Sequence, residues 1–285
     1  MDIQKQKVFD VTLPGEKMGY GRLHPISQAI NKLADIFLSM GFEVVEGPEL
    51  ETDYYNFESL NIPFFHPSRD MQDTFYVKVL PVVEQSSLRD FAHLKDRFVM
   101  RTHTSNVQVR VMEKRTPPLR ICTFGKCFRR EATDASHEHT FYQVEGFVVD
   151  KDISIANLIY TMKSILSKFF DKEVEIRLRP AYFPFTEPSY EVVFKCLNCH
   201  PDLCRDPDFG RDGDKNCPVC KGSGWLEIFG AGMIHPNVLK NVGYQEGQWQ
   251  GFAFGGGIDR LVMLKYQIDD IRWFHSGDLR FIKQF

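Results

Sequence analysis

Apolar residues recur at helical spacing over residues 25–40, where Ile26, Ala29, Ile30, Leu33, Ala34, Phe37 and Met40 fall on one face. Pro25 suits a first helical turn and Gly41 a C-terminal stop, so a helix is predicted there. A strand over 42–45 follows at once and ends near Gly47-Pro48. The 3.6-residue period returns in a long amphipathic helix over 153–170, in shorter helices over 106–114 and 235–241, and in a final helix over 258–266. Extended segments are predicted over 98–102, 119–131, 140–149, 189–195 and 225–229. Another is marked by Val174, Ile176 and Leu178 alternating with Glu175, Arg177 and Arg179, a strand with one wet face. The segments 119–131 and 140–149 are joined by the loop 132–139 and form an antiparallel hairpin. Phe252-Ala253-Phe254 leads into a Gly-rich turn, Gly255-Gly256-Gly257. Residues 53–96 are less regular and are expected to be loops with short elements, while 1–22 form a polar lead-in arm. The order of elements predicts an α+β domain, a mostly antiparallel sheet with long helices against it.

Within the extended segments, residues two apart share a face. Five pairs stand out: His103 and Ser105, Arg129 and Glu131, Gln143 and Glu145, Phe183 and Phe185, and Tyr190 and Val192, the last merely structural. Four pairs on four segments are expected to line one pocket. Charge and amide facing inward are costly in a core that serves stability alone.

The 285 residues, 43% of them hydrophobic, suffice for one large domain with or without a small insert. The 25 Phe read mostly as core. The longest apolar runs fall far short of the ~18 residues of a membrane span, and the first residues carry no apolar leader region, so a cytoplasmic protein is expected. Net charge is −3. A protein that grips nucleic acid alone usually shows a basic excess, so any RNA substrate is expected to be held largely by another chain.

Seven cysteines are present, and Cys196, Cys199, Cys204, Cys217 and Cys220 crowd together. Cys196-x2-Cys199 and Cys217-x2-Cys220 fit a four-thiolate zinc site, with His200 and Cys204 as further donors. A reduced, metal-free loop is the alternative. Arg129 is able to clamp a phosphate bidentately, and Glu131 to accept from an amine such as the adenine amino group. From spacing alone the two fit a solvated cross-strand ion pair equally well. Arg260, in the first turn of the helix after the three glycines, is positioned for a terminal phosphate, although a Gly-rich turn with a surface Arg explains the same residues. Neither a Walker A sequence nor a Gly-x-Ser-x-Gly elbow is present. Phe183 and Phe185 suit an aromatic ligand or simply a core.

Taken together, Phe128-Arg129-Arg130-Glu131 and Gly255-Gly256-Gly257-Ile258-Asp259-Arg260 resemble motifs 2 and 3 of class II aminoacyl-tRNA synthetases, and the helix from Pro25 with its following strand resembles motif 1. More narrowly, the chain resembles the catalytic part of the bacterial phenylalanyl-tRNA synthetase alpha subunits. Leu23-His24-Pro25-Ile26, Arg101-Thr102-His103-Thr104-Ser105, the run from Phe141 to Gly146, Phe183-Pro184-Phe185-Thr186-Glu187-Pro188, Gly232-Met233-Ile234-His235-Pro236-Asn237 and Gly251-Phe252-Ala253-Phe254-Gly255 carry that likeness.

The resemblance implies a class II antiparallel sheet over residues 23–285, with a Cys-rich insert at 196–220. It implies ATP-dependent activation of L-phenylalanine and transfer to the 2′-OH of tRNA(Phe), with magnesium and a beta subunit in an α2β2 heterotetramer. Arg129 and Arg260 are then the catalytic arginines, on the α- and γ-phosphates. Glu131 meets the adenine amino group, His137 the outer phosphates, and Phe141 and Gly257 the nucleotide. Glu227 holds the ATP magnesium and Glu187 a magnesium shared with the beta subunit. His103, Ser105, Gln143 and Glu145 meet the ammonium and carboxylate of phenylalanine, Phe183 and Phe185 its ring, and Ala253 its para position.

Three departures stand beside the match. Only a short arm precedes His24, where the family has a long tRNA-gripping helical hairpin. Tyr142 replaces a usual His, and is expected to face away from Gln143. The Cys-rich insert occurs in only some relatives. A non-catalytic binding or regulatory paralogue, or a class II enzyme with another acceptor or amino acid, are the alternative readings. Retention of Arg129, Glu131, Glu227 and Arg260 speaks against the first, and the aromatic pair with Ala253 against the second.

Overall fold

The computed structural model describes residues 21–77, 97–197, 217, 219–220, 222–245 and 247–285, with Thr12 and Gly15. Nearly all of the lead-in arm lies outside the described residues, as do Cys199, His200 and Cys204.

Helix α1 (Pro25–Ser39) begins where His24 Nδ1 accepts from the Ile26 amide, with Pro25 at the first turn. It stops at Gly41, whose φ of +78° a glycine adopts without strain. Its buried face, Ile26, Ala29, Leu33, Ile36 and Phe37, is the one the apolar period marks. Strand β1 (Glu43–Val44) follows, then β2 (Leu50–Thr52) and short helices α2 (Asp53–Asn56) and α3 (Ser68–Met71). Strand β3 (Phe98–Met100) pairs antiparallel with β2. After α4 (Asn106–Met112) come β4 (Leu119–Phe128) and β5 (Thr140–Asp150), then α5 (Ile155–Phe170) and the meander β6 (Ile176–Phe183), β7 (Thr186–Lys195) and β8 (Trp225–Ile234). Helix α6 (Pro236–Asn241), β9 (Gln250–Gly257), α7 (Ile258–Tyr266) and α8 (Leu279–Ile282) complete the order.

Seven strands form one sheet in the order β1-β4-β5-β9-β8-β7-β6, antiparallel throughout except for β1 beside β4. The expected α+β architecture is therefore present. One face packs on α1, α5 and α7 through Leu33, Phe37, Leu158, Met162, Phe169, Val144, Val192 and Phe254. The other, among the described residues, is covered at one end, where Val107, Val109 and Met112 of α4 and Val238 of α6 meet Ile121, Phe147 and Ala253. The uncovered half of that second face holds the cavity described below.

Several predicted elements differ in extent. Segment 119–131 stops being a strand at Phe128, so Arg129 and Glu131 lie past its end. The strand predicted over 98–102 ends at Met100, and His103 to Ser105 form a turn leading into α4. Gly255, Gly256 and Gly257 are the end of β9, paired with Glu145, Val144 and Gln143, and not a turn. Phe183 closes β6 and Phe185 sits in the turn before β7, so the two rings meet across a hairpin tip. At 101–105, 129–131 and 184–185 residues that also suit a strand form turns or strand ends, and at 255–257 residues that suit a turn are held in a strand by pairing to β5.

Candidate functional site

A cavity of about 330 Å³ opens on the free half of the sheet, lined by residues that include His103, Ser105, Arg129, Gln143, Glu145, Phe183, Phe185, Glu227 and Ala253. Nine residues singled out in the sequence, drawn from six separate stretches of chain, are thus brought together. Glu131, His137, Phe141, Gly257, Glu187 and Arg260 do not line it.

One end of the cavity is a buried carboxylate. Glu145 Oε2 accepts from Ser105 Oγ at 2.6 Å and Oε1 from the Thr104 amide at 3.1 Å. Burial pushes its pKa up to about 7, against the pull of those donors and of Gln108. Gln143 Oε1 accepts from the Thr104 amide at 3.3 Å and from Cys127 Sγ at 3.1 Å, which leaves the amide nitrogen as a donor. His103 is buried, and among the described residues neither ring nitrogen has a hydrogen-bond partner. Burial, and then the nearby Arg129 cation, depress its pKa to about 3, so the ring is neutral at physiological pH. A buried imidazole lacking a protein partner is suited to a polar group brought in by a ligand.

The other end is aromatic. Phe183 and Phe185 stand nearly parallel with centroids 6.1 Å apart, and Phe185 lies 6.2 Å from His103. Two glycines make the shelf beneath. A Cβ at Gly230 would come within 2.9 Å of Phe183 Cζ, and one at Gly255 within 2.5 Å of Glu145 Cγ. Those two glycines face each other across β8 and β9, and Ala253 lies opposite Phe147 on the same face.

The mouth is guarded by Arg129. Its Nε donates to the Thr102 carbonyl at 3.2 Å, its guanidinium stands 5.0 Å above the Phe141 ring, and Nη1 lies 3.7 Å from Glu131 Oε1. Both members of this loose ion pair are about 30% exposed, so it contributes little to stability. His137 pairs with Asp134 at 3.0 Å in the exposed loop, and that contact holds the Asp134 carboxyl down at about 2. Arg260 is exposed in the first turn of α7, while its neighbour Asp259 is buried and accepts from the Tyr142 amide at 2.6 Å, tying α7 to β5. Tyr142 packs toward the helical layer, away from the cavity, as expected. Glu227 and Glu187 are both exposed, and their hard oxygen donors fit a magnesium ion.

The turn 103–105 is held by groups the sequence did not single out. Arg101 is buried and donates to the carbonyls of Lys126 at 2.6 Å and Gly47 at 2.8 Å. Glu51, fully buried, takes Asn106 at 2.8 Å and both arms of Arg110. Gln72 and Gln108 add polar lining. Only the unusual density of polar residues in 101–108 hinted at any of this.

Cys196, Cys217 and Cys220 are buried, and their sulfurs lie within 4.8 Å of one another at the far end of β7 and β8. This cluster is separate from the cavity.

The chain matches the family described as tRNA synthetases class II core domain (F) over residues 8–285. Among curated proteins it is 51% identical over 277 residues to a phenylalanine–tRNA ligase alpha subunit of Leptospira biflexa, covering 97% of this chain and 72% of that one. It is 49% identical to the protein of that name from Bacillus subtilis, covering 99% of this chain and 75% of the relative. The alpha subunit of Bacillus licheniformis is 48% identical, at 99% and 74% coverage. Among solved structures, pyrrolysyl-tRNA synthetase from Desulfitobacterium hafniense superposes with a TM-score of 0.58 over 89% of this chain and 74% of that one, at 14% identity, a likeness of fold alone.

Proposed function

This chain belongs to the class II tRNA synthetase core family and, within it, to the phenylalanine–tRNA ligase alpha subunits, and on that premise we propose that it activates L-phenylalanine with ATP and passes it to tRNA(Phe). Residues 23–285 act as the catalytic domain in this reading, with a beta subunit as partner in an α2β2 assembly in the cytoplasm. No described helix is long and apolar enough to cross a membrane.

The observation that carries the reading is the polarity of the cavity, a buried carboxylate at one end and two stacked rings at the other. An α-amino acid with an aromatic side chain has the complementary layout. The substrate ammonium meets Glu145 and Ser105. Its carboxylate is met by the donors of Gln143 and neutral His103. Its ring enters beside Phe183 and Phe185 and ends at Ala253.

The reaction then proceeds in two steps. A carboxylate oxygen of phenylalanine attacks the α-phosphorus of ATP, the bond to the β-phosphate oxygen breaks, and phenylalanyl-adenylate and pyrophosphate result. The 2′-OH of the terminal tRNA ribose next attacks the acyl carbon, AMP leaves with the bonding electron pair, and the hydroxyl proton passes to the departing phosphate. The first step asks mainly for in-line geometry and neutralised phosphate charge. Arg129 is positioned at the cavity mouth for the α-phosphate, and Phe141 and Glu131 beside it for the adenine face and amino group. His137, Arg260 and the backbone at Gly257 serve the outer phosphates. Magnesium would supply further charge neutralisation, with Glu227 holding the ion on ATP and Glu187 an ion shared with the beta subunit.

The test is adenylate formation by the chain assembled with its beta subunit. Arg129→Ala is expected to abolish the burst of phenylalanyl-adenylate while the variant still binds phenylalanine. Retained adenylate formation would remove Arg129 from the site.

A further inference from the structure

We propose that Cys196, Cys217 and Cys220 bind a zinc ion that staples the far end of the β7–β8 hairpin. The assignment is independent of the amino-acid site and rests on the geometry of the three sulfurs.

Cys196 follows the last residue of β7, and its amide donates to the Gly224 carbonyl at 2.8 Å, one residue before β8 begins. Cys217 and Cys220 come from the segment that turns back into β8. The Cys196 and Cys217 sulfurs are 3.9 Å apart, and all three lie within 4.8 Å of one another. Thiolates at about 2.3 Å from a tetrahedral zinc stand roughly 3.8 Å apart, so an ion fits between these sulfurs with small adjustment. The separation is far from the ~2 Å of a disulfide.

The backbone around the second pair has the form such a site needs. Val219, Cys220 and Gly222 lie in turns. Gly222 and Gly224 take φ of +90° and +73°, a conformation that costs glycine nothing, and the Ser223 amide donates to the Cys220 carbonyl at 3.0 Å. Two left-handed glycines turn the chain into β8 just after Cys220, and the sulfurs of Cys217 and Cys220 converge on that of Cys196. Packing alone does not demand that convergence. Cys122 and Cys127 are equally buried, in β4, and join no such cluster among the described residues. Three thiolates leave one tetrahedral position for a further donor. The ion would close the hairpin three residues before Glu227 in the register Lys195↔Trp225, Phe194↔Leu226, Val193↔Glu227. It would thereby hold that strand end on the edge of the cavity.

Elemental analysis of the full chain, purified without chelator from zinc-supplemented medium, is expected to give one zinc per chain. Cys220→Ser is expected to lose it, and Cys122→Ser to keep it. Because Cys220→Ser can fail to fold, the wild-type chain supplies a second readout. Cobalt(II) added to the stripped, reduced protein should produce sulfur-to-cobalt charge-transfer absorption with the visible bands of tetrahedral cobalt, and zinc should displace it. Zinc-free protein with no cobalt spectrum would overturn the proposal. So would a cobalt spectrum that survives unchanged in a folded Cys220→Ser variant.

Discussion

Glu145 is the residue whose ionisation the proposed chemistry depends on most. Its pKa stands at about 7, raised by burial above the ordinary carboxylate value. A raised pKa means that the folded chain binds the proton more tightly than the unfolded one. Glu145's contribution to stability is therefore full below about pH 4.5 and is lost as the pH rises through about 7. Substrate binding runs in the opposite direction, because an ammonium pairs with the carboxylate form. The KM for phenylalanine is expected to rise about tenfold between pH 8 and pH 6. Calorimetry in buffers of different ionisation heat should show a proton released on binding at pH 6. A flat KM with no proton release would separate Glu145 from the ammonium. Ala253 lines the cavity, nearly fully buried and opposite Phe147, and in the proposed reading it sets the depth of the pocket. Ala253→Gly is expected to raise kcat/KM for para-chlorophenylalanine at least about tenfold. Unchanged activation of that analogue would move the pocket floor elsewhere.

At the scale of elements, the sheet creates room for ligand by what it omits. Gly230 and Gly255 face each other on β8 and β9, and a methyl on either would meet Phe183 or Glu145. Gly255→Ala is expected to weaken phenylalanine binding by more than an order of magnitude while leaving the thermal midpoint within a few degrees. Equal binding would show that Glu145 can shift without loss. The turn that carries His103 and Ser105 depends on Arg101, which joins the Gly47 and Lys126 carbonyls. Arg101→Met leaves those acceptors unpaired and should destabilise the fold by about 2–4 kcal/mol in denaturant titrations. These supports were not legible in the sequence. Helix α7 was readable to the residue because one long period and a preceding glycine bounded it. The pair Gln143/Glu145 was readable because strand alternation is local, whereas Phe183 and Phe185 were read on one extended segment and in fact meet across the turn between β6 and β7. Arg129 and Glu131 were assigned to a strand that ends before them, since nothing local tells a last paired residue from a first unpaired one. The need for glycine at 230 and 255 arises only from strands brought together by topology, and a triplet such as Gly255-Gly256-Gly257 suggests a turn until its partner strand is known.

For the whole molecule, fold and family follow from the sheet and from relatives near half identity, while the chain spans about three quarters of those relatives' length. A net charge of −3 does not suggest that this chain alone captures tRNA. Activity is accordingly assigned to an assembly with a beta subunit. The central claim is that the cavity activates phenylalanine. Its most direct test is phenylalanine-dependent exchange of labelled pyrophosphate into ATP, measured with the chain alone and with its beta subunit, against tyrosine and leucine as competitors. Exchange that requires phenylalanine and appears in the assembled enzyme is the predicted result. A folded, assembled preparation that shows no exchange, or equal exchange with tyrosine, would contradict it.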